Sequence, residues 1–143
     1  TNVNRASVDI SGVDGYVQWQ SLDKKWHVNG QFNYSDINAQ NPLNGRPKIT
    51  LGPSIGYNPN SVLSYNLQGM WVDERYVTSL YTGDAQQQTL DSYMRFDANV
   101  QYQYDANWQF SLQLTNITDS DYQDDIGFAA NGPAFYLGAS YNL

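Results

Sequence analysis

Residues Gly132–Leu143 read GPAFYLGASYNL, and the alternation in this stretch decides how the rest of the chain is read. Pro133, Phe135, Leu137, Ala139, Tyr141 and Leu143 fall on one face, and Gly132, Ala134, Tyr136, Gly138, Ser140 and Asn142 on the other. Strand side chains alternate with a period of two, so this is a strand with one apolar and one small or polar face. It finishes on the apolar face, where a soluble terminal strand is expected to fray into polar residues. The question is which solvent the apolar face meets.

The same alternation recurs upstream. Trp108, Phe110, Leu112 and Leu114 alternate with Gln109, Ser111, Gln113 and Thr115, and Met94, Phe96, Ala98, Val100, Tyr102 and Tyr104 with Arg95, Asp97, Asn99, Gln101 and Gln103. Leu63–Trp71, Ile49–Tyr57 and Trp26–Tyr34 repeat the pattern. Strands are therefore predicted over 107–117, 90–105, 61–72, 47–57 and 25–37. Pro53 lacks an N–H and removes one ladder bond from the third of the seven runs in chain order, 47–57. In the first run, 6–20, the pattern slips: Val8 and Ile10 share a face, but Val13, Val17 and Trp19 resume one residue out of step. Either a bulge at Ser11-Gly12 restores the phase, or Val8 and Ile10 lie in a loop beyond the sheet.

Connections alternate in length. Those at 21–25, 58–60 and 105–107 are short, whereas 38–46, 73–89 and 118–131 are long. In a meander this places all short turns at one end and all long loops at the other, as in outer-membrane barrels. Trp19, Trp26, Tyr57, Tyr104, Trp108 and Tyr141 gather at the short-turn end of the apolar faces, and Tyr34, Trp71, Met94 and Phe135 toward the other. Two such bands read as membrane-interface girdles, because amphipathic rings favour that zone. A soluble β-sandwich would instead concentrate its aromatics mid-strand, inside a core. The opposite faces carry Asn, Gln, Ser, Thr and Gly, interrupted by His27, Arg95 and Asp97, as expected of a wet lumen wall. The predicted fold is all-β: an antiparallel up-and-down meander of about seven transmembrane strands, with short periplasmic turns and long extracellular loops.

Composition agrees. Apolar residues make up 41% of the 143, with 12 Tyr and 4 Trp, yet the mean hydropathy is −0.60 because polar residues fill the gaps. No 3.6-residue period is sustained. The net charge of −7 comes without a basic stripe, which argues against nucleic-acid binding. Zero cysteines exclude disulfides and thiolate metal sites. No apolar run approaches the ~18 residues of a membrane helix, which excludes helical insertion only.

With short turns in the periplasm and Leu143 ending there, the strand at 132–143 runs inward, and counting back makes the run at 6–20 the seventh, starting outside. Isolated bacterial barrels have an even strand number. Residues 1–143 are therefore expected to be a single segment, the C-terminal part of a larger barrel. The upstream strands and plug, or another chain, would meet the free edge. A strand hidden in 73–89 would instead give a stand-alone eight-stranded outer-membrane barrel with a structural or adhesive role.

Candidate site residues are few. Arg75, Tyr76, Tyr81 and Asp84 lie in a long loop from which a substrate could be met, since loops on rigid scaffolds carry recognition. Arg46 and Lys48, at the outer rim, could meet lipopolysaccharide phosphates. Arg95 and Asp97 share the polar face two residues apart and are expected to pair. Asp119, Asp121, Asp124 and Asp125 offer the oxygens calcium needs, without the Gly and terminal Glu of a helix-loop-helix site, so a solvated acidic loop is the expectation and no metal is assigned. The sole histidine, His27, could form a triad with Ser111 or Ser140, but nothing in the sequence pairs them, and no catalysis or cofactor is expected.

Four segments carry a resemblance: Arg5-Ala6-Ser7-Val8-Asp9-Ile10-Ser11-Gly12-Val13-Asp14; Asn33-Tyr34-Ser35-Asp36-Ile37-Asn38 followed by Arg46-Pro47-Lys48; Asp73-Glu74-Arg75-Tyr76 with Leu90-Asp91-Ser92-Tyr93; and Thr115-Asn116-Ile117-Thr118-Asp119-Ser120-Asp121-Tyr122 before the closing strand. In this order and spacing they resemble the C-terminal third of TonB-dependent outer-membrane receptors of the cobalamin and siderophore kind. Leu143 stands where that family usually ends in Phe. The resemblance implies uptake of a scarce nutrient, such as a metal chelate or cobalamin, across the outer membrane of a Gram-negative bacterium. It implies the TonB energy-coupling system as partner. It also implies that Phe135, Tyr141 and Leu143 present a recognition signal to the barrel-assembly machinery.

Overall fold

The computed structural model describes residues 8–39, 44–78 and 87–143. Eleven strands follow one another: β1 (Val8–Gln20), β2 (Trp26–Ala39), β3 (Ile49–Tyr57), β4 (Leu63–Val72), β5 (Arg75–Thr78), β6 (Gln87–Leu90), β7 (Tyr93–Gln103), β8 (Trp108–Thr115), β9 (Gln123–Asp125), β10 (Phe128–Ala129) and β11 (Ala134–Tyr141). Seven of them form one sheet in the order β1-β2-β3-β4-β7-β8-β11, every neighbouring pair antiparallel. This is the expected meander. The remaining four form two separate hairpins, β5–β6 and β9–β10. Among the described residues, β5 and β6 thus pair with each other and not with the sheet, and no eighth strand joins it. Among the described residues, β1 and β11 each have one unpaired edge.

Each short turn is built on the same device. Asp23 accepts a hydrogen bond from the Lys25 N–H at 3.1 Å, Asn60 from the N–H groups of Val62 and Leu63 at 3.0 and 2.9 Å, and Asp105 from those of Asn107 and Trp108, both at 2.8 Å. A short polar side chain that captures backbone donors two or three residues on reverses the chain and fixes where the next strand starts. Pro53 has the predicted effect without breaking its strand: β3 and β4 keep one register from Thr50↔Val72 to Tyr57↔Tyr65, and the pairing is interrupted only beside Gly52 and Pro53.

The phase slip in the first run has a different cause from either reading above. β1 pairs with β2 in one unbroken register from Val8↔Ala39 to Gln20↔His27, with no bulge and no loop. Val13, Val17 and Trp19 therefore share the face of Val28, Phe32 and Tyr34, whereas Val8 and Ile10 lie on the opposite face, alongside Ile37. Beyond the row Val13↔Tyr34 the two faces exchange character: the formerly apolar face continues with Ser11, Asp36, Asp9 and Asn38. A strand keeps its geometry when it leaves an apolar layer, but the chemistry demanded of each face changes. The slip marks that exit.

No conventional core fills the sheet. Ile10, Val17, Trp19, Leu51, Ile55, Leu67, Phe110 and Leu137 are all at least 40% exposed. Among the described residues, the buried hydrophobic side chains are Val72, Val77 and Tyr93, and the buried polar ones Arg75 and Asn116. All five lie at the long-loop end.

Candidate functional site at the outer mouth

The polar face carries hollows of about 580 Å³ and 380 Å³. The first is lined by Asp14, Gln31, Asn33, Thr50 and Gln68, the second by Gln18, Asn29, Ser54 and Asn66. Neutral amides and hydroxyls dominate the second, whereas Tyr16, Met70 and Val72 add apolar surface to the first; both offer hydrogen bonds and little fixed charge. Asp14 adds a carboxylate that the alternation hid, and it accepts a hydrogen bond from the Asn33 amide. His27 lies across Gly56, where a Cβ would meet its ring at 1.8 Å. The small residue is what gives the imidazole room. His27 on β2 is separated from Ser111 on β8 by four strand spacings, roughly 19 Å, so the two cannot form a triad. Ser140 is one strand farther still.

Above these hollows, the β8–β11 connection folds back over the polar face of β7. Asn116 starts the fold. It takes φ +49, a left-handed conformation that asparagine tolerates better than most residues. Its amide donates to the Ser120 and Asn131 carbonyls at 3.0 and 3.1 Å and its side-chain oxygen accepts from the Ser120 N–H at 2.9 Å. Its own N–H donates to Asp97 at 2.9 Å. The Ser120 hydroxyl donates to the Met94 carbonyl. These bonds bring Tyr122 flat onto Tyr93, with centroids 4.0 Å apart and planes at 11°.

Two arginines hold the stack. Arg95 donates to the Tyr122 hydroxyl at 2.9 Å and forms the expected ion pair with Asp97 at 3.0 Å. Arg75, at the start of β5, lies over the Tyr93 ring at 5.6 Å and donates to the Gln123 carbonyl at 2.6 Å. It also meets the Asp124 carboxylate at 3.6 Å. Arg75 is only 6% exposed, so its charge is taken up by the loop and not offered to the outside. Tyr76 next to it is exposed, and its carbonyl accepts from the Gly45 N–H at 2.7 Å. Asn44 likewise accepts from the Thr78 N–H. Three long connections are thereby linked in series: 44–45 to β5, and β5 to the β9–β10 hairpin.

Of the substrate-contact candidates, Arg75 and Tyr76 are placed at this cluster, while Tyr81 and Asp84 lie outside the described residues. Arg46 and Lys48 are exposed. The calcium option is not built: among the described residues no three His, Cys, Asp or Glu side chains converge, and Asp124 is engaged by Arg75. The sequence alone assigns Asn116 and Tyr122 no role of their own. An Asn two residues after Leu114, where the alternation calls for the next apolar side chain, with Thr118, Asp119 and Ser120 close behind, is the local signal that marks the first.

On the apolar face the aromatics cluster where the alternation placed them. Trp26 stacks on Tyr57 at 4.2 Å, and Trp108 lies 5.0 Å from Tyr141 and 6.1 Å from Phe110. Tyr104 meets Phe110 edge-on at 6.4 Å, and Trp71 pairs with both Leu51 and Met94 toward the long-loop end.

An open meander with one aromatic-banded apolar face, one largely polar face and loops folded over the latter is the geometry of a membrane barrel wall. Residues 1–117 match the model of the family described as TonB dependent receptor-like, beta-barrel, and the chain belongs to that family. Its members are outer-membrane transport receptors of Gram-negative bacteria that work with TonB. No curated protein matches the chain in sequence. Among solved structures, the ferripyoverdine receptor of Pseudomonas aeruginosa, solved with ferripyoverdine bound, superposes with a TM-score of 0.76 at 14% identity, over 94% of this chain and 19% of that one. The ferric-catecholate import receptor Fiu of E. coli K12 gives 0.75 at 18% identity, over 94% and 21%. The siderophore receptor PiuA of Acinetobacter baumannii gives 0.77 at 18%, over 94% and 22%. The chain thus spans about a fifth of the length of these receptors.

Proposed function

We propose that this chain is a contiguous part of the wall and outer mouth of a larger TonB-dependent barrel that imports an iron chelate. The carrying observation is the combination of an amide-lined inner face with a loop folded inward across it. The first gives a large polar solute hydrogen bonds without a strong charge trap, and the second shapes the entrance. The ferric-chelate cargo rests on the receptors that share the fold, whose names refer to ferripyoverdine, ferric catecholates and siderophores; cobalamin is the competing cargo. In this reading the unpaired edges of β1 and β11 are met by other barrel strands, since an open edge in hydrocarbon would leave backbone groups without partners. Tyr76 is the exposed aromatic from which a chelate would be met, and Arg75 holds the loop that frames it. Arg46 and Lys48 face lipopolysaccharide phosphates, and Phe135, Tyr141 and Leu143 present the closing strand to the barrel-assembly machinery.

The test is uptake by the full-length receptor in a strain stripped of its own ferric-chelate receptors. Iron-radiolabelled hydroxamate and catecholate chelates and labelled cobalamin are offered with TonB present or absent. TonB-dependent accumulation of at least one iron chelate is expected. Accumulation of cobalamin alone would overturn the cargo, and accumulation without TonB would overturn the mechanism.

A further inference from the structure

The apolar face is not uniformly covered by large side chains. On it runs a groove of about 270 Å³ whose floor is Ile55, Leu67, Ala98 and Val100, and whose short-turn end is closed by the stacked Trp26 and Tyr57. Register explains the notch. Leu67 pairs with Ile55 on one side and Ala98 on the other, so a three-carbon residue stands in a row of branched ones. Just beyond the aromatic end lies the β1–β2 turn, with Lys24 and Lys25 both exposed. Among the described residues neither lysine has an ion-pair partner. The turn's one acid, Asp23, is taken up by the Ser21 hydroxyl and the Lys25 N–H. The other two short turns, Asn58–Asn60 and Asp105–Asn107, contain no cation.

We propose that this groove and turn form a binding site for an anionic phospholipid of the periplasmic leaflet, its acyl chain along Leu67–Ala98 and its phosphate at Lys24 and Lys25. Charge complementarity selects the occupant. An apolar trough alone would take any acyl chain, but an aromatic end-stop fixes the headgroup level, and two exposed ammonium groups at that level, set against the single acid Asp23, favour net negative headgroups. The proposal rests on the reading that the apolar face meets lipid with its short turns in the periplasm.

The full-length receptor in detergent is titrated with phosphatidylglycerol or phosphatidylcholine of matched chains and read by native mass spectrometry. Phosphatidylglycerol is expected to be retained at concentrations at least about fivefold lower. K24Q/K25Q, confined to an exposed turn, should abolish that preference, and A98F, which fills the trough, should weaken retention of both lipids. Equal retention of the two lipids, or a preference untouched by K24Q/K25Q, overturns the site. In proteoliposomes, fluorescence quenching by lipids brominated in their acyl chains, compared between wild type and W26F, separates the two levels. No quenching attributable to Trp26 overturns the lipid-facing reading itself. Equal quenching by brominated phosphatidylglycerol and phosphatidylcholine overturns the anionic site alone.

Discussion

The membrane-spanning sheet and the cluster at its outer mouth are held by opposite strategies. The sheet has almost no buried side chains; its order comes from backbone ladders and from an apolar face matched to its solvent. The cluster has a small buried centre of Val72, Val77, Tyr93, Arg75 and Asn116, held by directed bonds between side chains and loop carbonyls. A solvent-matched surface tolerates change so long as polarity is kept. A bonded cluster tolerates little, because removing one partner strands another.

That contrast is most severely tested on the sheet. Leu67→Arg places a charge in the middle of the apolar face and is expected to lower barrel stability by ~2–4 kcal/mol and to deplete folded receptor from the outer membrane, read by heat-modifiable mobility. Asn66→Arg, one residue away on the polar face, should leave assembly intact. Equal damage at both would mean the faces do not differ in solvent.

Next in size is the cluster. Asn116→Ala removes three loop hydrogen bonds and sets alanine at a positive φ, for an expected loss of about 1–3 kcal/mol confined to the loop. Hydrogen exchange should quicken in 118–131 while the ladder of β7 and β8 stays protected. Arg75→Ala should free the same loop by a similar or smaller amount, since Asp124 is largely exposed and its ion pair is screened. If Arg75 couples the loops, exchange also quickens at Gly45 and Thr78, whose bonds run through β5. Protection there unchanged would reduce Arg75 to a local peg.

A smaller effect is expected from Trp26→Leu, which keeps the polarity and loses the ring stack on Tyr57, about 0.5–1.5 kcal/mol by thermal unfolding in detergent. The smallest concerns Asp23. The Ser21 hydroxyl and the Lys25 N–H hold its carboxyl below its ordinary value. Its contribution is therefore fully present above that value and is lost as the pH falls through the lower, folded one. Asp23→Asn should remove this acid-side loss, seen as a turn resonance that no longer titrates.

How much was legible in the sequence follows the same division. The seven strands could be read because a half-solvated strand writes its two environments into alternate residues, and short turns such as Asp105–Asn107 pin the register. The outer cluster could not be read, because Arg75 bonds to carbonyls 48 and 49 positions away that carry no side-chain signature. The hairpins β5–β6 and β9–β10 have strands of two to four residues, too short for a period to show. At Ser11-Gly12 the signal was present and both readings of it failed. Each assumed a single environment along the whole strand and so sought a defect in the backbone, when the surroundings had changed.

That change of surroundings turns the β1–β2 hairpin into a waterline. From Trp26 to Tyr34 the strand runs about 27 Å, or about 21 Å along the membrane normal at a tilt near 40°, close to the ~25 Å apolar belt of such barrels. On this hairpin the row Ser11↔Asp36 is where that face turns polar. Making that row apolar would draw the hairpin down by up to one pleat, lowering the entrance toward the lipopolysaccharide heads without altering a single contact inside it.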